Sequence, residues 1–110
     1  MSSNYKIPSK CNNIVKFLPV ITPQINSLSS YSSVSGVYTI ISIVGNHFRQ
    51  NGYSVVNFGA YKNLPIIFLG SQNISFQVPT IAAAGTYNVF VENKIYPTQL
   101  YSNSVIYTIT

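Results

Sequence analysis

The chain has 110 residues, 46% of them hydrophobic and 14% aromatic, enough for one buried core and too few for two. Only 6% of its residues are charged, against about 25% in a typical soluble domain. With a single acid, Glu92, and a single cysteine, Cys11, the composition excludes acid–base chemistry on paired carboxylates and any internal disulfide.

Residues 1–19 keep neither a helical nor a strand period for long, and Pro8 and Pro19 discourage regular structure. The segment is expected to form an extended arm ahead of a domain spanning 20–110. Tyr5, Ile7, Val15, Phe17 and Leu18 are too apolar for a solvated tail, so the arm is expected to lie against its own domain or a neighbouring subunit. The apolar letters from Ile14 to Ile21 are broken by Lys16 and Pro19. No signal peptide and no membrane span is read there, which points to synthesis and residence inside a cell.

Val20 to Leu28 reads as a first strand, and Pro23 marks it as an edge strand. A Ser-rich loop from Ser29 to Gly36 leads to a second strand, Tyr38 to Val44. The period of two turns Thr39, Ile41 and Ile43 inward and leaves Tyr38, Ile40 and Val44 outward. Gly45 then permits the turn that folds Phe48 back as a plug over the strand's end. Asn51-Gly52 signals a turn into Ser54 to Phe58, with Val56 and Phe58 inward and Val55 outward. After Gly59, an apolar run from Leu64 to Gly70 precedes Asn73 to Val78, where Ile74, Phe76 and Val78 alternate inward before Pro79. Ala82 to Gly85 is a crossing loop or a single helical turn. Thr86 to Glu92 points Tyr87, Val89 and Val91 inward and Phe90 outward, Asn93 to Asn103 is read as a loop, and Ser104 to Thr110 aligns Val105, Tyr107 and Ile109 on one face. Six to eight short strands with regular turn signals and no amphipathic helix predict an all-β antiparallel sandwich.

Chemistry-bearing groups are few. Cys11 lies in the arm without an oxyanion-hole motif, and His47 sits in a turn where exposure to solvent is the simpler role. There is no cluster of His, Cys or acids for a metal and no Gly-rich phosphate loop, so no cofactor is expected. Asn73-Ile-Ser75 is a glycosylation sequon by letter only, because the strand pattern buries Ile74. The net charge of +5 comes from Lys6, Lys10, Lys16, Arg49, Lys62 and Lys94, which form no stripe.

The order and spacing of several short segments resemble the IPT/TIG family of immunoglobulin-like domains over about residues 20–110. They are Pro23-Gln-Ile-Asn-Ser27, Gly36 with Thr39 to Gly45 and Phe48, Val56-Asn-Phe58-Gly59, Ile74 to Pro79, Gly85 to Asn93, and Ser102-Asn-Ser with Tyr107 and Ile109. Gly85, Tyr87 and Val89 also fit a tyrosine corner, with Val89 where a disulfide-bonded Cys stands in antibody domains. The resemblance implies an immunoglobulin-like β-sandwich.

A surface this poor in charge suits a protein packed in an assembly, because charged surfaces are what keep monomers apart. Codon bias in an AT-rich genome would also enrich Asn, Ile, Tyr and Ser, but it would raise Lys too, and Lys is scarce. The expected interface residues are Tyr38, Ile40 and Val44 on one sheet and Val55, Phe90 and Ile106 on the other. The expected role is non-enzymatic, with protein partners or copies of the chain itself, as in a small accessory subunit of a viral capsid shell. Two further readings stay open. An intracellular adaptor or dimerising nucleic-acid-associated module would bind phosphates weakly and non-specifically. A glycan-binding module would stack sugars on some of the nine Tyr, although Trp is absent.

Overall fold

The computed structural model describes residues 22–50, 52–95 and 98–110, so the arm contacts expected at Tyr5, Ile7, Val15, Phe17 and Leu18 lie outside the described residues. Within them the chain is all-β. The strands are β1 (Gln24–Leu28), β2 (Ser32–Ser33), β3 (Ile40–Asn46), β4 (Ser54–Phe58), β5 (Tyr61–Leu64), β6 (Ile67–Gly70), β7 (Asn73–Gln77), β8 (Gly85–Ile95), β9 (Thr98–Tyr101) and β10 (Val105–Ile109). One sheet has the order β1-β3-β7-β6. The other runs β2-β10-β8-β4-β5, with β9 also paired to β8. All neighbours are antiparallel except β2 and β10, which run parallel. This is the two-layer arrangement of an immunoglobulin-like sandwich.

The core forms where the inward halves of the alternating strands meet. Ile41 and Ile43 of β3 and Ile74 and Phe76 of β7 face Val56 and Phe58 of β4, Val89 and Val91 of β8, and Tyr107 and Ile109 of β10. Phe58 is the aromatic hub, stacked on Tyr87 at 4.8 Å and meeting Tyr107 edge-on at 5.4 Å. The Tyr87 hydroxyl donates to the Ala83 carbonyl oxygen at 2.5 Å. That bond back across the β7–β8 crossing is the tyrosine corner, and it pins the crossing to the start of β8.

Phe48 is 1% exposed and closes the end of the core beyond β3. It can do so only because Gly45 has no side chain. A Cβ there would overlap the Gln24 carbonyl oxygen and stand 2.6 Å from Phe48 Cζ. The Phe48 N–H donates to the Ser71 carbonyl at 2.8 Å and the Gly45 N–H to the Gln72 carbonyl at 3.0 Å, tying the plug to the β6–β7 turn.

The structure corrects the sequence reading at four places. The Ser-rich stretch is not all loop: β2 pairs with β10 through its backbone, and its partly exposed serines give no apolar alternation to read. Tyr61–Leu64 is a strand, paired with β4 in a short hairpin whose polar Lys62 and Asn63 hide the pattern. Asn93 to Asn103 contains the end of β8 and all of β9, a hairpin in register from Glu92–Tyr101 to Ile95–Thr98. Val55 faces outward yet is buried, because β4 is an inner strand flanked by β5 and β8, and Glu92 lies directly across from it. The total is ten strands among the described residues rather than six to eight.

Candidate functional site

Charge divides the molecule. None of the strand residues of β1, β3, β6 or β7 is charged, so the four-stranded sheet presents an uncharged outer face. Ile40 and Val44 of β3 and Ile67 and Leu69 of β6 stand exposed on it. Between them Ser42 and Ser75 share a hydrogen bond at 3.3 Å, and Ile67 lies in the same row as both. Tyr38, also exposed, lies just before β3. The period of two in Ile67–Gly70 could have identified Ile67 and Leu69, which the sequence reading left out of the interface set.

The two edges of this sheet differ. At β1 the Asn103 side chain acts as a substitute strand: its Oδ1 accepts from the Ile25 N–H at 2.8 Å and its Nδ2 donates to the Ile25 carbonyl at 3.0 Å. Tyr31 Oη adds an acceptor for the Leu28 N–H at 3.1 Å. Strand β6 ends the sheet on the other side with neither a charged residue nor a proline of its own, the features by which edge strands usually repel a further strand.

The outer face of the second sheet is occupied from within. Glu92 is 6% exposed; its Oε1 accepts from Asn57 Nδ2 at 3.1 Å and its Oε2 from Lys94 Nζ at 3.4 Å. Asn57 Oδ1 also accepts the N–H of Asn63, a residue with a left-handed φ of 60°, so one buried amide fixes both the acid and the β4–β5 hairpin. Phe90 packs edge-on against Tyr101 at 5.9 Å, and the Lys62 ammonium lies 5.6 Å from its ring centre. Phe90 is therefore half-buried, and Val55 is covered. Of the three interface residues expected on this sheet, only Ile106 is exposed.

A third feature lies at the loop end of the sandwich, where the β3–β4 loop, the β6–β7 turn and the β8–β9 hairpin converge. A pocket of about 570 Å³ opens there over Phe48 and Phe68. Arg49, Gln50, Tyr53, Ser71 and Lys94 complete its lining. The loop that carries the first three is held by buried polar groups. Ser54 Oγ accepts the Arg49 N–H at 2.7 Å and donates to Asn93 Oδ1 at 2.5 Å. Asn93 Nδ2 donates to the His47 carbonyl at 2.9 Å. The Tyr53 carbonyl accepts the Lys94 N–H at 2.6 Å. Ser54 and Asn93 have no exposed surface, so the loop stands on a fixed base. His47 takes a left-handed φ of 65° at the apex of this arrangement, the kind of backbone strain that rigid surroundings sustain. Sequence reasoning saw Arg49 and Lys94 as scattered bases, because only the strand order brings residues 45 apart to one rim.

Among the described residues no group of three or more His, Cys, Asp or Glu could hold a metal, and no helix is long and apolar enough to cross a membrane. A family model described as the IPT/TIG domain matches residues 23–109. No curated protein matches the chain.

Proposed function

Because the chain belongs to the IPT/TIG family of immunoglobulin-like domains, we propose that it works as a structural subunit whose copies meet through the four-stranded sheet. Domains of this family are protein-interaction modules, in general without enzymatic activity. The uncharged outer face with Ile40, Val44, Ile67 and Leu69 exposed carries the reading. Every copy bears a net charge of +5, so copies repel wherever their cations approach. Among the described residues, the outer face of the four-stranded sheet is a surface on which two copies can meet without opposing like charges. Its exposed aliphatic groups and central Ser42–Ser75 pair suit a two-fold contact in which the same patch serves both partners.

A large intracellular assembly fits this use, and a viral shell is its most concrete form, since shell subunits meet many copies over broad faces. Location in a virion is part of this proposal. The test is solution mass by light scattering across a concentration series, using the full chain, a Val44→Lys/Ile67→Lys double variant and a chain lacking residues 1–19. Self-association of the full chain that is lost in the double variant supports the sheet contact. A full chain that stays monomeric at every concentration overturns it. Loss on truncation alone, with the double variant still associating, moves the contact from the sheet to the arm.

A further inference from the structure

We infer that the pocket lined by Arg49 and Lys94 binds an acidic peptide segment of a different protein, seating a carboxylate on the Arg49 guanidinium and a neighbouring apolar side chain on Phe48 and Phe68. The inference rests on the family-level reading of the chain as a protein-interaction module. It does not depend on the copy-to-copy contact, so a monomeric chain leaves it standing.

Electrostatics is the first argument. The described residues hold three basic side chains, Arg49, Lys62 and Lys94, and two of them line this one pocket. Lys94 is shared with Glu92, but the Arg49 guanidinium makes no ion pair among the described residues. A guanidinium beside an apolar floor is a ready bidentate site for a carboxylate. The second argument excludes a copy of this chain as donor of that carboxylate side chain. Glu92 is its only acid, with a side chain 8% exposed and held by Asn57 and Lys94. A complementary carboxylate side chain therefore comes from a different protein.

The kind of molecule follows from what else lines the site. Nucleic-acid binding depends on many phosphate contacts along a basic track. Here Arg49 and Lys94 line one cavity, the Lys94 ammonium being shared with Glu92, and Lys62 lies on the outer face of the second sheet over Phe90. A sugar would need polar partners beneath its ring hydroxyls, whereas the floor is two phenyl rings, with the polar groups of Arg49, Gln50, Tyr53, Ser71 and Lys94 around it. A carboxylate next to an aromatic or aliphatic side chain uses both halves. The mouth is flanked by Tyr53, 61% exposed, which offers a flat apolar surface to a peptide running across it. The hydrogen bonds through Ser54 and Asn93 fix this loop in advance, which lowers the ordering cost of binding.

The test is amide chemical-shift mapping on the full chain with a short synthetic peptide of Glu, Asp and Phe, beside its Gln/Asn counterpart. Saturable shifts centred on Arg49, Gln50, Tyr53, Ser71 and Lys94 are expected with the acidic peptide and not with the amide peptide. Arg49→Gln should weaken binding about ten- to a hundredfold, the worth of one charge-assisted hydrogen-bonding group. Lys62→Gln removes the same charge from a residue that does not line the pocket and should leave affinity within about twofold, because solvent and salt screen an exposed charge that makes no direct contact. Thermal unfolding of both variants verifies that they fold. Equal loss in the two variants would reduce the effect to net charge and overturn the assignment. Shifts at these residues with a single-stranded oligonucleotide or an acidic oligosaccharide, and none with the peptide, would also overturn it.

Discussion

Replacing Gly45 with alanine tests how the loop end of the sandwich is built. The added methyl meets the Gln24 carbonyl oxygen on one side and Phe48 Cζ, 2.6 Å away, on the other. Neither can yield freely. Gln24 is paired with Asn46 in the β1–β3 ladder, and Phe48 is 1% exposed with its N–H bonded to Ser71. Inserting a methylene into a packed core costs about 1–3 kcal/mol, and a collision with backbone belongs at the upper end, about 3 kcal/mol. With an unfolding entropy of about 2.1 cal/mol/K per residue, 110 residues give about 0.23 kcal/mol/K, so each kcal/mol moves Tm by about 4 °C. The Gly45→Ala chain should melt about 12 °C below the parent by calorimetry or circular dichroism. Gly70→Ala is the control, since a Cβ there meets nothing within 4 Å, and it should stay within about 0.5 kcal/mol. A Gly45→Ala shift below about 3 °C, less than 1 kcal/mol, would refute the account of Phe48 as a plug seated by the missing side chain.

Two substitutions probe the aromatic centre by the same thermal assay. Tyr87→Phe removes the donor to the Ala83 carbonyl while leaving the ring against Phe58, and should cost about 1 kcal/mol, or about 4 °C. An unchanged Tm would mean the corner contributes no stability. Tyr107→Phe should act in the opposite direction. Its hydroxyl is buried with no hydrogen-bond partner among the described residues, so deleting it removes an unpaired polar group and should raise stability by up to about 1 kcal/mol.

What the sequence disclosed follows from where burial is one-sided. β3, β7 and the first half of β8 each pack one face on the core, so Ile41/Ile43, Ile74/Phe76 and Tyr87/Val89/Val91 alternate visibly and were placed correctly. Strands held mainly by backbone pairing at the periphery leave no such trace. Ser32–Ser33 is an edge strand of two polar residues, Tyr61–Leu64 is an edge strand whose polar Lys62 and Asn63 separate Tyr61 from Leu64, and the β8–β9 hairpin hides behind Asn93 and Lys94. At β4 the alternation fails for the opposite reason, since Ser54 to Phe58 is buried on both faces. The Gly45–Phe48 relation was legible because the spacing forces a turn. The pocket was not, because Arg49 and Lys94 become neighbours only through the order of strands in the second sheet.

Strand β6 links the two proposed contacts and makes them separable. Its period of two turns Phe68 toward the pocket and leaves Ile67 and Leu69 exposed on the opposite side of the strand. A copy on the sheet and a peptide in the pocket therefore use different faces of the same four residues, and one chain can hold both at once. Ile67→Lys should abolish self-association and leave peptide affinity within about twofold. Arg49→Gln should do the reverse, and the combined variant should show both losses, as expected for sites that share no side chain. If Ile67→Lys instead weakened peptide binding as much as Arg49→Gln does, the peptide would be lying along the β6 edge as an added strand, not entering the pocket over Phe48 and Phe68.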